Sequence, residues 1–430
     1  MAREAARPGA TAMAFAAILS LTPVVAVFAH RGAGVIAVAM GLAAAAHVQV
    51  WRTGVRTFLL KPDFTKPLVL GAAAFLLLCA WIALSGAWSP QGNALRLALV
   101  VLTPALAAGT VIWRIGRLTP ESLRLVAGAY VIVAAVAAAA LIFESQSGAF
   151  LRAITPPVDA SPLRFKDLTA VSRGVTLVTP LLFPALAIVA AQAPSRRGGA
   201  LAGFAALAAL LALGAVKLGV VSNAVALGFG TAAAAAAFFW PRATLNFVLF
   251  SYVTFLLVSP FAAAWLPVEA IVGALGESFP ASWGQRLFAW REAAQAAFHC
   301  LPFGCGADAA RALHAAGETV SFQGSILPLA IMPTHPHSVF LQVWMELGAA
   351  GALLFGLVIM MGGIALIRVD LPKEVASATA GAGIALLVFF AVEMSIWQFW
   401  RLGGLALAAI GVALSYYVNH FSVYKRKERD

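Results

Sequence analysis

Long apolar runs recur along the whole chain and constrain its fold more than any other feature. Each is about twenty residues or longer, which is enough to cross the roughly 30 Å hydrocarbon layer of a membrane. Backbone N–H and C=O groups in lipid must find partners within their own segment, so each run is predicted to be a helix. The twelve predicted spans cover residues 9–29, 32–50, 67–87, 95–113, 123–143, 174–194, 199–215, 219–239, 244–266, 338–367, 376–396 and 403–423.

The composition supports the same fold class. Of the 430 residues, 62% are hydrophobic and only 11% are charged, whereas soluble domains carry about a quarter charged residues. A membrane β-barrel would need short segments of alternating polarity, and the sequence lacks that pattern. The chain is therefore predicted to be an all-α polytopic membrane protein of about twelve transmembrane helices.

The basic residues indicate how the spans are oriented. The net charge is +12, and a cytoplasmic N-terminus places eighteen of the 29 basic residues in short cytoplasmic loops and tails. This bias favours N-in, C-in and an even number of spans, and it explains most of the positive charge. We therefore expect membrane lipid, and no nucleic acid, as a partner.

The longest predicted loop divides the chain into three parts. Residues 1–266 carry spans one to nine, residues 267–336 form a periplasmic loop with substrate-binding residues, and residues 337–430 carry spans ten to twelve and a basic cytoplasmic tail. An amphipathic stretch near 282–298 could be a helix lying on the membrane or folded over a cavity. The tenth span is long and could begin as a partly exposed segment.

Cysteines and histidines in this loop raise the question of a metal. Cys300 and Cys305 lie close together in sequence, and the sequence leaves open whether they pair. No third or fourth ligand follows them at the spacing of a zinc site. His335 and His337 form a His-x-His pair, again without acidic or histidine partners nearby. We expect no metal and no cofactor.

Several basic residues fall on the side where the bias does not expect them. Arg173 opens the sixth predicted span, and Lys217 lies in a short connection between two spans. A charge at such depth is costly and usually faces a bundle interior or a wet cavity, although a solvated or snorkelling side chain is the plainer interpretation. Arg286 and Trp290 are four residues apart and so share one helical face.

A polar run at residues 334–348, Thr-His-Pro-His-Ser-Val-Phe-Leu-Gln-Val-Trp-Met-Glu-Leu-Gly, marks the point where the loop re-enters the membrane. An uncharged imidazole here would be a good general base near neutral pH. With its ordinary pKa of about 6.5, activity should fall as the pH drops below that value. Glu346 could orient a histidine, cap a charge, or make a polar contact between helices.

These groups together suggest one kind of chemistry. Guanidinium and ammonium groups beside a membrane suit a phosphate or pyrophosphate. A nearby histidine suits removal of a hydroxyl proton, and cations can stabilise the charge that grows on a leaving pyrophosphate. The pattern predicts transfer of a group from a lipid pyrophosphate to a hydroxyl acceptor.

The same residues resemble the O-antigen ligase family of Gram-negative bacteria. The run 335–351 resembles the family's His-x-His-Asn followed by Glu-x-Gly-x-x-Gly, with Ser338 where asparagine is usual. Arg-x-x-x-Trp at 286–290 and Pro-x-Gly-x-Gly at 302–306 form a second match. Weaker matches are Arg173-Gly174 and the region 217–223, where related proteins often carry an arginine in place of Lys217.

The resemblance implies a metal-independent, inverting glycosyltransferase with its active site on the periplasmic side of the inner membrane. It would transfer polysaccharide from undecaprenyl pyrophosphate to lipid A–core oligosaccharide. His337 would be the general base on the acceptor hydroxyl, and Arg173, Lys217 and Arg286 would hold the pyrophosphate. The further candidates are Arg291, Arg311, His335, Trp290 and Glu346.

Other functions remain open from the sequence. O-antigen polymerases and protein O-oligosaccharyltransferases share the histidine-bearing loop, and these motifs do not indicate which acceptor is used. A lipid or polysaccharide transporter would place charged groups at mid-membrane, as Glu393 does late in the eleventh predicted span, near Gln398 and Arg401. In a non-catalytic assembly protein His337 would be incidental.

Overall fold

The computed structural model describes residues 8–46, 65–155, 165–192, 197–276, 280–321 and 328–427. Within these ranges, eleven helical segments are long and apolar enough to cross a membrane, so the chain is an all-α polytopic membrane protein. The α-helices are α1 (Ala10–Leu19), α2 (Thr22–Phe28), α3 (Ala33–Ala45), α4 (Pro67–Leu84), α5 (Ala94–Ile115), α6 (Pro120–Ser147), α7 (Phe165–Gln192), α8 (Arg197–Lys217), α9 (Val221–Phe239), α10 (Pro241–Ala264), α11 (Val268–Leu275), α12 (Ala281–His299), α13 (Ala309–Ala315), α14 (Val339–Ile367), α15 (Lys373–Val392) and α16 (Phe399–Lys427). The strands β1 (Thr319–Val320) and β2 (Leu329–Ala330) pair antiparallel.

The predicted spans correspond to these helices, with differences at the N-terminus. The first span is broken into α1 and α2, because Pro23 stands in the first turn of α2. The second predicted span, 32–50, corresponds to α3, which is shorter than a typical crossing helix. Its last residues, 47–50, lie outside the described part of the chain, as do residues 1–7 and 428–430 at the predicted cytoplasmic termini.

Several predicted span boundaries differ from the helix ends by a few residues, and two of these differences move charged residues that matter for the site. Helix α7 begins at Phe165 instead of residue 174, so Arg173 lies more than two turns inside a helix instead of opening it. Helix α15 ends at Val392 instead of residue 396. Glu393 therefore lies at the start of a non-helical break, residues 393–398, between α15 and α16. The first turns of α7 carry Lys166, Asp167 and Arg173, so their low hydropathy excluded them from the predicted span. Glu393 has apolar neighbours on both sides, so hydropathy extended that span past its end.

The amphipathic stretch predicted near 282–298 is confirmed as helix α12. Its alanine face, with Ala289, Ala293 and Ala297 fully or almost fully buried, packs against α10 and α14. Small side chains let helix backbones approach closely, which is the usual packing mode between membrane helices. Helix α12 is thus folded over the bundle, and it carries Arg286 toward the interior.

Two apolar clusters form the core of the bundle. The first joins α1 to α3 with α5 to α8 and α16, and it includes Phe15 and Tyr130. The second joins α4, α5, α7, α9, α10, α14 and α15, and it includes Ile82, Phe340 and Phe389. Helix α7 is the most deeply buried of the candidate spans, because it packs against α15 and α16 as well as α6.

A disulfide bond between Cys300 and Cys305 answers the question that the sequence left open. The loop that it closes lies against helix α14. The Cys305 amide donates to the Met345 carbonyl at 2.8 Å, and the Gly306 amide donates to the Glu346 carbonyl at 2.9 Å. The two glycine-containing motifs at 302–306 and 346–351 are therefore hydrogen-bonded to each other.

Close backbone contact explains the glycines at this junction. Gly304 and Gly348 both have positive φ, +81° and +67°, and a Cβ on Gly348 would collide with the Gly304 backbone. Gly348 also kinks α14. The turns before this kink, from Val339 to Gly348, are almost entirely buried, which corrects the expectation of a partly exposed start to the tenth span.

Gly348→Ala should destabilise the protein, because the methyl group meets backbone and alanine is strained at positive φ. We expect a loss of about 2 kcal/mol or more in the free energy of unfolding, measured as a lower thermal unfolding temperature in detergent by tryptophan fluorescence. Gly362→Ala is the matched control, since the same helix offers open space there. It should be neutral or slightly stabilising. Equal unfolding temperatures for the two variants would contradict this account of the junction.

Candidate functional site

The break between α15 and α16 brings a buried ion pair into the bundle. The Glu393 carboxylate accepts from Arg401 Nη2 at 2.8 Å, from Ser222 Oγ at 2.7 Å and lies 3.1 Å from Thr176 Oγ1. Glu393 and Arg401 are 7% and 8% exposed, so solvent screens their charges little. Three helices, α7, α9 and α16, thus supply partners to one carboxylate.

Arg401 is only partly satisfied by this pairing. Its Nε and Nη1 atoms are buried without a hydrogen-bond partner among the described residues. The guanidinium carbon also lies 4.6 Å from the centre of the Trp400 ring. Buried donors are nearly always paired in folded proteins, so the free side of this guanidinium is a candidate ligand contact.

The two histidines of the re-entry run contact each other and this break. The His337 amide donates to His335 Nδ1 at 3.1 Å, and the two rings are 4.3 Å apart. His335 Nε2 lies 3.2 Å from the Gln398 side-chain nitrogen. His337 has φ of +55°, which is rare for a residue with a side chain, and Ser338 then caps α14. The histidine pair is thereby fixed at the start of the helix.

The His337 ring lies beside the Glu393 backbone, which acts to raise the pKa of the ring against the effect of burial. Its Nδ1 atom is buried without a hydrogen-bond partner in the described structure. A neutral imidazole carries N–H on one nitrogen and a lone pair on the other. In the tautomer with the lone pair on Nδ1, this atom can accept a proton.

Burial, and then the charges of Arg286 and Arg401, lower the pKa of His337 from its ordinary value to about 4. The pKa of His335 is also well below its ordinary value, first through burial and then through His337. Both rings are therefore uncharged at neutral pH. This corrects the expectation of an ordinary histidine pKa near 6.5.

Helix α12 adds two further buried donors. Arg286 Nε and Trp290 Nε1 lie buried without hydrogen-bond partners in the described ranges. The charge of Arg286 interacts with those of Glu393 and Arg401, and its guanidinium lies 5.0 Å from the Trp283 ring. Arg286 thus faces the same region as the break, whereas Trp290 packs against the apolar cluster that includes Leu341 and Met345.

Arg173 on α7 completes what we call the cation cluster: Arg173, Arg286 and Arg401. Its charge interacts with those of Arg401 and Glu393. Gly174 beside it contacts the Ala26 carbonyl so closely that no Cβ would fit. The Arg-Gly pair therefore lets α7 approach α2 while the preceding arginine stays at the cluster.

Unpartnered polar atoms are concentrated at this cluster. Eleven buried side-chain nitrogen or oxygen atoms in the described residues have no hydrogen-bond partner, and four of them belong to Arg286, His337 and Arg401. Three of the four are N–H groups of guanidiniums. The arrangement can bind a ligand rich in acceptor oxygens and negative charge, as a phosphate is.

Three of the predicted site cations are not brought into the cluster. Lys217 is exposed, and its Nζ lies 3.2 Å from both the carbonyl and the side-chain oxygen of Gln146. Arg291 pairs with Glu269, with 2.7 Å between Nη1 and Oε2. Arg311 is bound to Asp308 at 2.8 Å. From the 217–223 region it is Ser222 and Asn223 that are buried at the site.

Glu346 serves a different purpose from orienting a histidine. It is fully buried and accepts from the Asp308 amide at 2.8 Å, from Trp397 Nε1 at 2.6 Å and from Gln342 Nε2 at 3.3 Å. It thus ties α14 to the start of α13 and to the 393–398 break. Of the roles expected from the sequence, a polar contact between helices describes Glu346 best.

Sequence reasoning missed the central pair. The sequence places Glu393 late in a predicted span near Arg401, as a charge typical of a transporter, and it predicts no contact between the two residues. The available signal was a carboxylate and a guanidinium eight residues apart around Gln398, with no charged residue between them. The described residues contain no group of three His, Cys, Asp or Glu side chains that could hold a metal, and metal independence stays a prediction.

Arg286→Ala should weaken the binding of inorganic pyrophosphate by roughly ten- to a hundredfold, because it removes one buried charged donor group. Isothermal titration calorimetry on the purified protein in detergent measures this. Arg291→Ala is the matched control, since that guanidinium on the same helix is already paired with Glu269. Equal effects of the two substitutions would show that the cluster is not the anion site.

No protein-family model matches this chain, and no curated protein matches it significantly. The geometry of the cation cluster and of His337 is therefore the feature that indicates a function.

Proposed function

We propose that this protein is a glycosyltransferase that uses a lipid-pyrophosphate-linked glycan as donor. In its most specific form, it is an O-antigen ligase that transfers polysaccharide from undecaprenyl pyrophosphate to a sugar hydroxyl of lipid A–core. The observation that supports this best is the His337 Nδ1 atom, which is buried without a partner close to guanidinium donors that also lack partners in the described residues. A base and an anion site are the two components that this transfer needs.

The reaction follows from these groups. Arg286, Arg401 and Arg173 bind the pyrophosphate and stabilise the charge that develops as the bond between the anomeric carbon and the phosphate oxygen breaks. The acceptor hydroxyl attacks the anomeric carbon from the opposite face and inverts its configuration. Its proton passes to Nδ1 of His337. Undecaprenyl pyrophosphate leaves with both electrons of the broken bond.

The proposed location is the inner membrane of a Gram-negative bacterium, with this site facing the periplasm. Two observations support that side. The basic residues are enriched in the loops at the other end of the spans. The Cys300–Cys305 disulfide lies on the same loop as Arg286, and disulfides persist in oxidising compartments such as the periplasm.

One observation also favours a transporter. A buried ion pair at a break between two helices, as Glu393 and Arg401 form, is typical of substrate sites in transporters. A transporter has no use for a general base, so replacement of His337 separates the two functions. O-antigen polymerase and protein O-oligosaccharyltransferase would use the same base, and only the acceptor in a purified assay separates them from a ligase.

His337→Ala should reduce glycan transfer by about 10²-fold or more, because the acceptor hydroxyl loses its base. The measurement is transfer from a lipid-pyrophosphate glycan to lipid A–core by the purified protein without divalent metal. His299→Ala, on the last residue of α12, is the matched control and should leave transfer intact. Unchanged transfer by the His337 variant, with normal membrane insertion, would exclude the proposed base.

The pH dependence should separate free and substrate-bound enzyme. Because the pKa of His337 is lowered to about 4, kcat/KM should stay level from pH 8 to about pH 5 and fall only below that range. Bound pyrophosphate partly neutralises the arginines, which raises the pKa of His337, so the acid limb of kcat should lie at higher pH. An acid limb of kcat/KM near pH 6.5 would indicate a different base or an exposed one.

A further inference from the structure

We propose that Glu393 determines how much negative charge the cation cluster accepts. Its carboxylate permanently neutralises one side of Arg401 and leaves the other side to the ligand. That the ligand is a lipid pyrophosphate rests on the proposed function. The role of Glu393 concerns only which anions the cluster prefers.

Glu393 is held so that it cannot swing away from the cluster. Arg401, Ser222 and Thr176 all contact its two oxygens, at 2.8, 2.7 and 3.1 Å. Thr176 in turn lies 3.0 Å from Asn223 Oδ1. Two of these partners are neutral hydroxyls, so the hydrogen bonds that they donate to the carboxylate hold it in place beside Arg401.

The Arg401 guanidinium has one side bound to Glu393 and one side without a partner. Its Nη2 binds Glu393, while Nε and Nη1 are buried without partners in the described structure. A guanidinium presents its N–H groups in a planar fork that binds phosphate oxygens well. The side that Glu393 does not occupy is therefore the side that a phosphate oxygen would take.

The charges around the site determine how much negative charge it can balance. The three guanidiniums of the cluster and the one carboxylate sum to two positive units, and Arg31, whose charge acts on Arg173, adds a further positive charge beside them. Loss of the Glu393 charge raises this positive excess by one unit. A buried excess of charge is costly, so Glu393 shifts the preference of the cluster toward less highly charged anions.

Glu393→Gln tests this inference because it keeps the shape and removes the charge. We expect the variant to bind inorganic tripolyphosphate about tenfold more tightly relative to inorganic pyrophosphate than the wild type does. Isothermal titration calorimetry at constant ionic strength gives both dissociation constants. Glu269→Gln is the matched control, since that carboxylate also pairs with an arginine but lies exposed outside the cluster. Its ratio should equal that of the wild type.

The double variant Glu393→Gln with Arg401→Gln covers the case in which the single variant does not fold. It removes both members of the buried pair, so no unpaired charge stays behind, and the cluster again has two positive charges. Its ratio of dissociation constants should return to the wild-type value, although both anions bind more weakly. A wild-type ratio in the single variant, or a shifted ratio in the double variant, overturns the inference.

The anion-binding measurements are independent of the glycan-transfer assay. Absence of pyrophosphate binding by the wild type also overturns the role of Glu393. Normal anion selectivity without glycan transfer counts only against the proposed function.

Discussion

The ion pair between Glu393 and Arg401 is the interaction on which the rest of the site depends. A buried pair is costly to form and still more costly to break, because either partner alone is an uncompensated charge. Two hydroxyls and the pair itself fix the end of α15 and the start of α16. The Glu393 backbone also lies beside the His337 ring. Glu393 thus connects the cation cluster to His337 through its side chain and its backbone.

A second junction brings Arg286 to the same place. The loop after α12 lies on α14 through backbone hydrogen bonds, with Gly304 against Gly348. Glu346 adds bonds to the Asp308 amide and to Trp397. Helix α12 cannot move far without breaking these contacts. The motifs that look separate in sequence are therefore parts of one support, and their glycines are needed because two backbones meet there.

The sequence predicted the helices well because lipid requires apolar runs of a given length, and such runs are visible without a structure. It also selected His337, Arg286 and Arg173, which do come together. It could not find the Glu393–Arg401 pair, because the pairing depends on where α15 ends, and hydropathy is nearly blind to a boundary error of four residues. The sequence indicated Lys217 because of its predicted depth in the membrane. A long flexible side chain at a helix end can instead turn outward, as Lys217 does toward Gln146.

The Cys300–Cys305 bond has a consequence for how the protein matures. Two thiols become a disulfide only where the surroundings are oxidising. The Cys305 amide at the end of the ring that they close binds the Met345 carbonyl, and the Gly306 amide directly after it binds the Glu346 carbonyl. The finished support for α12 therefore requires chemistry that one face of a membrane offers and the other does not. A chain inserted in the reverse direction would carry every residue of the site and still lack this disulfide. The same bond therefore depends on the topology of the chain and contributes to the assembly of the site.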